Sequence, residues 1–213
     1  MDTVANVGVL DKTVALLHAL ERLGSASVVE LQRATGLPRA TAHRLVVALE
    51  GHDLVRRDAT GRCHLGFALV GLGQAALAAF PLAEVARPAL VALRDQTGEG
   101  VQLFVREGDE RRCLVSLQSP HGLRWIVAEG ALLPLAVGSA GRVLSGAHGP
   151  WVDSVEEREP GVASVSAPIH DDRGTVLAAV SVSGPVERLG RQPGVRYGEA
   201  VVAAASVVAS ALH

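Results

Sequence analysis

Gly36-Leu37-Pro38-Arg39-Ala40-Thr41-Ala42-His43-Arg44-Leu45 is the stretch on which the reading of this chain turns. Pro38 fits the first position of a helix, where a missing amide proton costs nothing. Beyond it, Ala42, Leu45, Val46 and Leu49 make one apolar helical face, while Arg39, Ala40, His43, Arg44 and Val47 fall opposite. Upstream, Ser27-Val28-Val29-Glu30 has the form of a capping box: the serine hydroxyl accepts a first-turn amide and the glutamate reaches back to the cap amide. It opens a helix carrying Leu31 and Ala34 that stops at Thr35-Gly36. Earlier still, Val14, Leu16, Leu17, Leu20 and Leu23 form an amphipathic helix ending at Gly24. Downstream, residues 54–57 and 62–65 flank Asp58-Ala59-Thr60-Gly61, a turn-rich loop, and so predict a hairpin. Two helices joined by a short glycine-containing turn, then a hairpin, predict a winged helix-turn-helix.

In such a fold the third helix fits the major groove of duplex DNA. Arg39, Ala40, Thr41, His43 and Arg44 are then the candidate readers, because arginine matches guanine acceptors and alanine or a threonine methyl meets thymine. Arg56, Arg57 and Arg62 on the hairpin are candidates for phosphate or minor-groove contacts. Between residues 33 and 62 stand six arginines and three acids, a local excess of three positive charges. Helix-turn-helix geometry also docks proteins, so a metabolite-sensing module whose N-terminal domain binds a protein partner is the alternative.

Composition bounds the rest. The chain has 213 residues, room for one large domain or two small ones. Hydrophobic residues at 48% and charged residues at 20% supply a core and exclude disorder. The formal net charge of −2 excludes a uniformly basic coat, so any nucleic-acid contact must come from a local patch. Cys63 and Cys113 make no C-x-x-C pair, zinc spacing or disulfide framework, and a reducing cytoplasm is the expected location. A small hydrolase is the enzymatic rival, but no G-x-S-x-G occurs and the histidines make no H-E-x-x-H or H-x-x-x-H. No catalytic residue, metal site or cofactor is expected.

From Cys63 to Ala83 no residue carries a formal charge, close to the roughly 20 apolar residues that span a bilayer. His64, Gly66, Gly71, Gly73, Gln74 and Pro81 interrupt that stretch. Its larger residues, Leu65, Leu69, Leu72, Ala76 and Phe80, make a seam suited to packing on another helix. A linker helix is therefore expected, not a membrane span, and Met1-Asp2 lacks the basic start of a secretory signal. The seam and the apolar first helix imply a homodimer, with a tetramer as the larger alternative.

After Gly100 the period changes from helical to extended. Residues 101–105, 112–117 and 123–128 read as strands, and Gly138-Ser139-Ala140-Gly141 opens a short helix. Residues 162–169 and 175–183 read as two further strands joined by Asp171-Asp172-Arg173-Gly174, before a final helix over 198–213. The class is α+β: a winged helix-turn-helix domain over 1–66, a linker helix over 67–80, and an antiparallel sheet with flanking helices over 81–213.

The stretch from Gly36 to Leu45 resembles the recognition-helix signature of the IclR family of bacterial transcriptional regulators, and Gly61-Arg62-Cys63-His64-Leu65-Gly66 resembles its wing. Glu159-Pro160-Gly161-Val162-Ala163-Ser164-Val165-Ser166-Ala167-Pro168-Ile169 and Ala178-Ala179-Val180-Ser181-Val182-Ser183-Gly184-Pro185 are similar to two strands of its effector domain. Gly8-Val9-Leu10-Asp11-Lys12 and Ser183-Gly184-Pro185-Val186-Glu187-Arg188-Leu189 are closer still to the actinobacterial, NdgR-like branch that controls leucine and related amino-acid biosynthesis. The resemblance implies a GAF-like, metabolite-binding sheet and an operator-binding regulator. One departure stands out: relatives carry an extra segment between the short helix and the strand near Trp151, where this chain has only residues 146–150.

The residues also permit such a pocket directly. Leu177, Ala179, Ser181 and Ser183 share one strand face, as do Val162, Ser164, Ser166 and Pro168. A register pairing Ser164 with Ser181 would gather hydroxyls that a small carboxylate or amino acid could satisfy. The resemblance adds Ser139 and Ala140 at a helix start, and places Ser154, Ser164, Ser181 and Ser183 along the site. The plain alternative is that these serines bond only their own backbone neighbours.

Overall fold

The computed structural model describes residues 8–79, 81–147 and 149–212; Phe80, the end of the expected seam, and His148 and His213 lie outside the described residues. The chain divides into two compact units, Met1–Phe80 and Pro81–His213.

In the first unit α1 (Gly8–Leu23), α2 (Val28–Thr35) and α3 (Arg39–Gly51) precede a hairpin of β1 (Val55–Arg57) and β2 (Cys63–Leu65), then α4 (Ala68–Ala79). The capping box is present: Glu30 N donates to Ser27 Oγ at 3.3 Å and Ser27 N donates to Glu30 Oε2 at 2.7 Å. These bonds, with Arg62 nearby, hold the Glu30 carboxyl below its ordinary pKa. Pro38 sits one position earlier than expected: its ψ of 143° is extended, so it caps α3 from outside. Leu16, Leu20, Leu31, Leu45, Val46, Leu49, Val55 and Cys63 close the core. Ala26 and Cys63 exchange both backbone bonds, at 3.0 and 2.7 Å, and so tie the hairpin to the α1–α2 turn. Gly66 enters α4 against the backbone; a β-carbon there would lie 1.9 Å from the Asp53 carbonyl oxygen. The large apolar residues Phe67, Val70 and Leu72 at this end of the unit are exposed. No helix among the described residues is long and apolar enough to cross a membrane.

The second unit is a six-stranded antiparallel sheet in the order β5-β4-β3-β8-β7-β6. Its strands are β3 (Gly100–Glu107), β4 (Glu110–Leu117), β5 (Leu132–Pro134), β6 (Val152–Val155), β7 (Val162–His170) and β8 (Val176–Pro185). Its helices are α5 (Leu82–Thr97), α6 (Ser139–Leu144), α7 (Val186–Leu189) and α8 (Pro193–Ala211). Alternation divides β7 and β8 into two faces. Ala163, Val165, Ala167, Ile169, Ala178, Val180 and Val182 join Leu90 and Leu93 of α5 and Val201, Ala205 and Val208 of α8 in the main core. One face of the apolar α8 is thus covered, while Val195 and Val207 on it stay exposed. Ala179, with Phe104 and Cys113, packs on Val127, Leu135, Ala140, Val143 and Leu144.

Three local readings change. Residues 123–128 form no strand; β5 pairs with the Glu110–Arg112 end of β4, as in Arg112 with Leu132, and Leu123 stays exposed. The β7–β8 register pairs Ser164 with Ser183 and Ser166 with Ser181, not Ser164 with Ser181. The turn adds one residue to the register, because Asp171 N bonds the carbonyl of Thr175, and a bulge at the Ile169/His170 step adds another. That bulge also turns Leu177 to the helix-covered core, away from the serine face.

Candidate functional site

Two places gather the expected residues. On α3, Ala42, Leu45, Val46 and Leu49 are buried, which leaves Arg39, Ala40, His43, Arg44 and Val47 exposed along one stripe. Thr41 lies off that stripe and is half-buried. Arg39 and Arg44 form no ion pair among the described residues.

The hairpin arginines differ. Arg57 Nε pairs with Glu50 Oε1 at 2.8 Å, which raises the arginine's pKa. Arg62 is committed to its own unit: Nε donates to Ser25 Oγ at 3.2 Å, and Nη2 reaches the Ser25 carbonyl at 3.0 Å and Glu30 at 3.1 Å. Arg56 lies over the Phe67 ring, 5.4 Å from its centroid. Asp58 shapes the turn, accepting from Thr60 N, Thr60 Oγ1 and Arg62 N with one oxygen and pairing with His64 Nε2 at 2.8 Å with the other. The His64 contact foremost, then Thr60, drives the Asp58 pKa well below the carboxylate range.

The second place is a cavity on the Phe104 face of the sheet. All six residues expected there, Ser139, Ala140, Ser154, Ser164, Ser181 and Ser183, line it. Ser139 Oγ, at the start of α6, bridges Ser164 Oγ and Ser166 Oγ at 2.7 Å each. Ser183 Oγ donates to Gln102 Oε1 at 2.8 Å. These hydroxyls bond side chains of other elements, Ser139 on α6 with Ser164 and Ser166 on β7 and Ser183 on β8 with Gln102 on β3, so the plain reading of backbone-only serines does not hold for Ser139, Ser164 and Ser183. The amide of Gly138 ahead of α6 already donates to Glu157 Oε2 at 3.1 Å.

Sequence reasoning missed Gln102, Arg111 and Arg158 on the cavity wall. Arg111 is 3% exposed. Its Nη1 donates to the carbonyls of Pro134 and, at 2.9 Å, Val137. Its Nε is buried with no hydrogen-bond partner among the described residues. Burial, with repulsion from Arg158, brings its pKa down to about 10. Gly141 makes room for it: a β-carbon there would lie 2.7 Å from Arg111 Nη1 and 2.2 Å from the Leu135 carbonyl oxygen. Gln102 carried one signal, a lone amide inside an otherwise apolar strand. Arg111 carried none, because Arg111-Arg112 points to both faces and nothing in sequence says which is covered. No group of three or more metal-ligating side chains occurs among the described residues.

Residues 9–59 match the IclR helix-turn-helix domain, and residues 74–154 and 146–210 match the C-terminal domain of the bacterial transcriptional regulator IclR. The chain belongs to the IclR family. It is a transcriptional regulator with a helix-turn-helix and an effector-type domain, not an enzyme. The HTH-type transcriptional repressor AllR of Escherichia coli K12 is 28% identical over 243 residues, spanning 95% of this chain and 89% of AllR. An IclR regulator from Alicyclobacillus acidocaldarius shares the fold at a TM-score of 0.82 and 19% identity, over 97% of this chain and 99% of that one. An IclR homologue from Microbacterium hydrocarbonoxydans, solved with 4-hydroxybenzoate, does so at 0.79 and 22% identity, over 96% and 98%. The AllR match is 243 residues long against 213 in this chain, so the relative carries residues that this IclR protein lacks. The two matched C-terminal segments meet at residues 146–154, where the sequence already shows a shortened connection.

Proposed function

We propose that this IclR-family regulator reads a double-stranded operator through α3 and changes its hold on that operator when a small carboxylate or amino acid fills the serine-lined cavity. The observation that carries the reading is the exposed stripe of Arg39, Ala40, His43 and Arg44, on a helix whose other face is anchored in the core. Unpaired guanidinium groups on such a stripe suit the acceptor edge of guanine. Arg56 on β1 of the same unit supplies a phosphate contact directly; Arg57 does so by leaving Glu50, and Arg62 by leaving Ser25 and Glu30. Binding works through a homodimer, itself able to pair into a tetramer, because Val9, Leu10 and Val14 of α1 and Val70 and Leu72 of α4 are apolar and exposed. A dimer presents two reading helices to half-sites about 34 Å apart, one turn of DNA. The domains then run over 1–66, 67–80 and 81–213, and the protein works in the cytoplasm with no membrane partner.

The target genes belong to amino-acid metabolism of the leucine type, a reading supported by residues 8–12 and 183–189 and their likeness to the NdgR-like branch. The cavity is small, with about 40 Å³ of free volume, so a leucine-sized skeleton enters only if the lining side chains move.

Mobility shift with DNA from upstream of its own coding sequence tests the core of the proposal. Binding should weaken steeply with salt, since each neutralised phosphate releases a counterion. A protein that ignores that DNA at low ionic strength, with and without amino acids and 2-keto acids, refutes operator reading and favours a protein-docking N-terminal domain.

A further inference from the structure

Taking α3 as the operator-reading helix, the middle of its free face narrows which bases it meets. Ala42, Leu45, Val46 and Leu49 point into the core. At about 100° per residue, Ala40, Arg44, Val47 and Gly51 fall within about 30° of the line opposite those four, while Arg39 and His43 lie nearer one edge. The middle of the face therefore presents two side chains of any length, the Arg44 guanidinium and the Val47 isopropyl group. Val47 is 50% exposed and stands outside the apolar interior that its neighbours Leu45, Val46 and Leu49 enter.

Folding gives no reason for a valine at this place. A β-branched residue is a poorer helix former than alanine, and exposed methyl groups gain nothing from burial. A lone apolar residue on a surface is ordinary; what marks Val47 is its position. Helices that lie in the major groove touch base edges from positions three, four and seven residues apart. Ala40, His43, Arg44 and Val47 have that spacing. The groove offers an isopropyl group one apolar partner, the 5-methyl group of thymine. Against the polar edges of the other bases, Val47 would desolvate donors or acceptors without replacing their partners. Along the helix it lies about 4.5 Å beyond Arg44, at 1.5 Å per residue, against about 3.4 Å per base pair.

We propose that Val47 is a specificity residue of the operator contact, covering the 5-methyl group of a thymine one or two base pairs from the guanine taken by Arg44. The proposal rests on operator reading by α3. It adds a sequence-selective apolar contact at the centre of a face flanked by cations.

The test is a double-substitution cycle on the full-length protein, with DNA from upstream of its own coding sequence made once with thymine and once with uracil. Uracil lacks the methyl group and keeps the pairing. Affinities are read by fluorescence anisotropy at an ionic strength where wild type and variant both bind. Wild type should bind the uracil DNA about tenfold more weakly, as expected for one methyl group removed at each half-site of a dimer. Val47→Ala should bind thymine DNA more weakly by a similar factor, lose most of the uracil penalty and keep the wild-type melting temperature. Single thymine-to-uracil changes should place the sensitive thymine within about two base pairs of a guanine whose replacement Arg44→Ala tolerates. An equal uracil penalty in wild type and Val47→Ala, or a penalty in neither, overturns the proposal and leaves operator reading standing. So does a Val47→Ala protein that melts earlier or self-associates less with its uracil penalty intact, since the side chain then serves folding or assembly. A sensitive thymine farther from that guanine overturns the placement beside Arg44. Wild-type protein that binds neither DNA at low ionic strength ends operator reading itself, and this proposal with it.

Discussion

On α3 the polar side chains stand in water, and Arg39 and Arg44 touch no opposite charge among the described residues; in the cavity Ser139 alone holds two other hydroxyls at 2.7 Å, and Arg111 is nine-tenths buried or more. An exposed cation without a partner costs little, because water solvates it. A buried hydroxyl or guanidinium without a partner costs about 1–3 kcal/mol or more. The helix face is therefore free to change without harm to folding, and its residues need answer only to what they read. The cavity residues answer to two demands at once, folding and ligand. The two regions should respond to mutation in opposite patterns.

The largest effect expected is the loss of response in Ser181→Val. The methyls fill a cavity of about 40 Å³ and remove an unpartnered hydroxyl, so operator binding should persist while its sensitivity to the effector disappears. Retained sensitivity in the same mobility-shift assay would break the comparison on the cavity side. Arg44→Ala comes next. A bidentate contact to guanine is worth about 1–3 kcal/mol of discrimination, so preference for operator over random DNA should fall about ten- to a hundredfold. The melting temperature should not move, because Arg44 touches nothing that folding needs. A lower melting temperature with intact preference would remove Arg44 from the readers. Arg57→Ala should be gentler and unselective, weakening all sequences alike and cutting the salt slope by about one. Its ion pair with Glu50 gives the same variant a second consequence, an unpaired carboxylate that repels phosphate and adds to the uniform loss.

The capping box, the glycine stop at Gly36 and the buried face of α3 were legible because helix signals are local and repeat every three or four residues. The six cavity residues were legible for a mixed reason. Period-two alternation put Ser164, Ser181 and Ser183 on one face, but Ser139, Ala140 and Ser154 came only through family likeness. The register itself was out of reach. One extra residue closed by Thr175 and one bulge step slide Ser164 from Ser181 to Ser183, and neither has a sequence signal. Residues 123–128 show the opposite failure: they alternate but pair with no strand, while β5 joins β4 only at Glu110–Arg112 and Ser116 N farther along donates to the Glu129 side chain. Arg111 was hidden for want of long-range information, because its burial depends on α6, Gly141 and the carbonyls of Pro134 and Val137 meeting over it.

The smallest effect concerns the hairpin, where the two kinds of polar environment meet. Asp58 is near the surface, yet it accepts three hydrogen bonds on one oxygen and pairs with His64 on the other. Its folded pKa is depressed, with His64 the leading cause. A carboxyl depressed on folding stabilises the native state above its unfolded pKa of roughly 3.9, and that contribution is lost as pH falls toward the folded value. In Asp58→Asn this acid-dependent part is absent. Denaturant midpoints of wild type and variant should therefore differ most near neutrality and converge as pH is lowered through the range below about 4. The convergence should be modest, because solvent screens a group this exposed. A constant gap between the two midpoints across that range would mean that Asp58 acts through turn geometry alone. The hairpin would then belong with the wired cavity, and not with the solvated helix face.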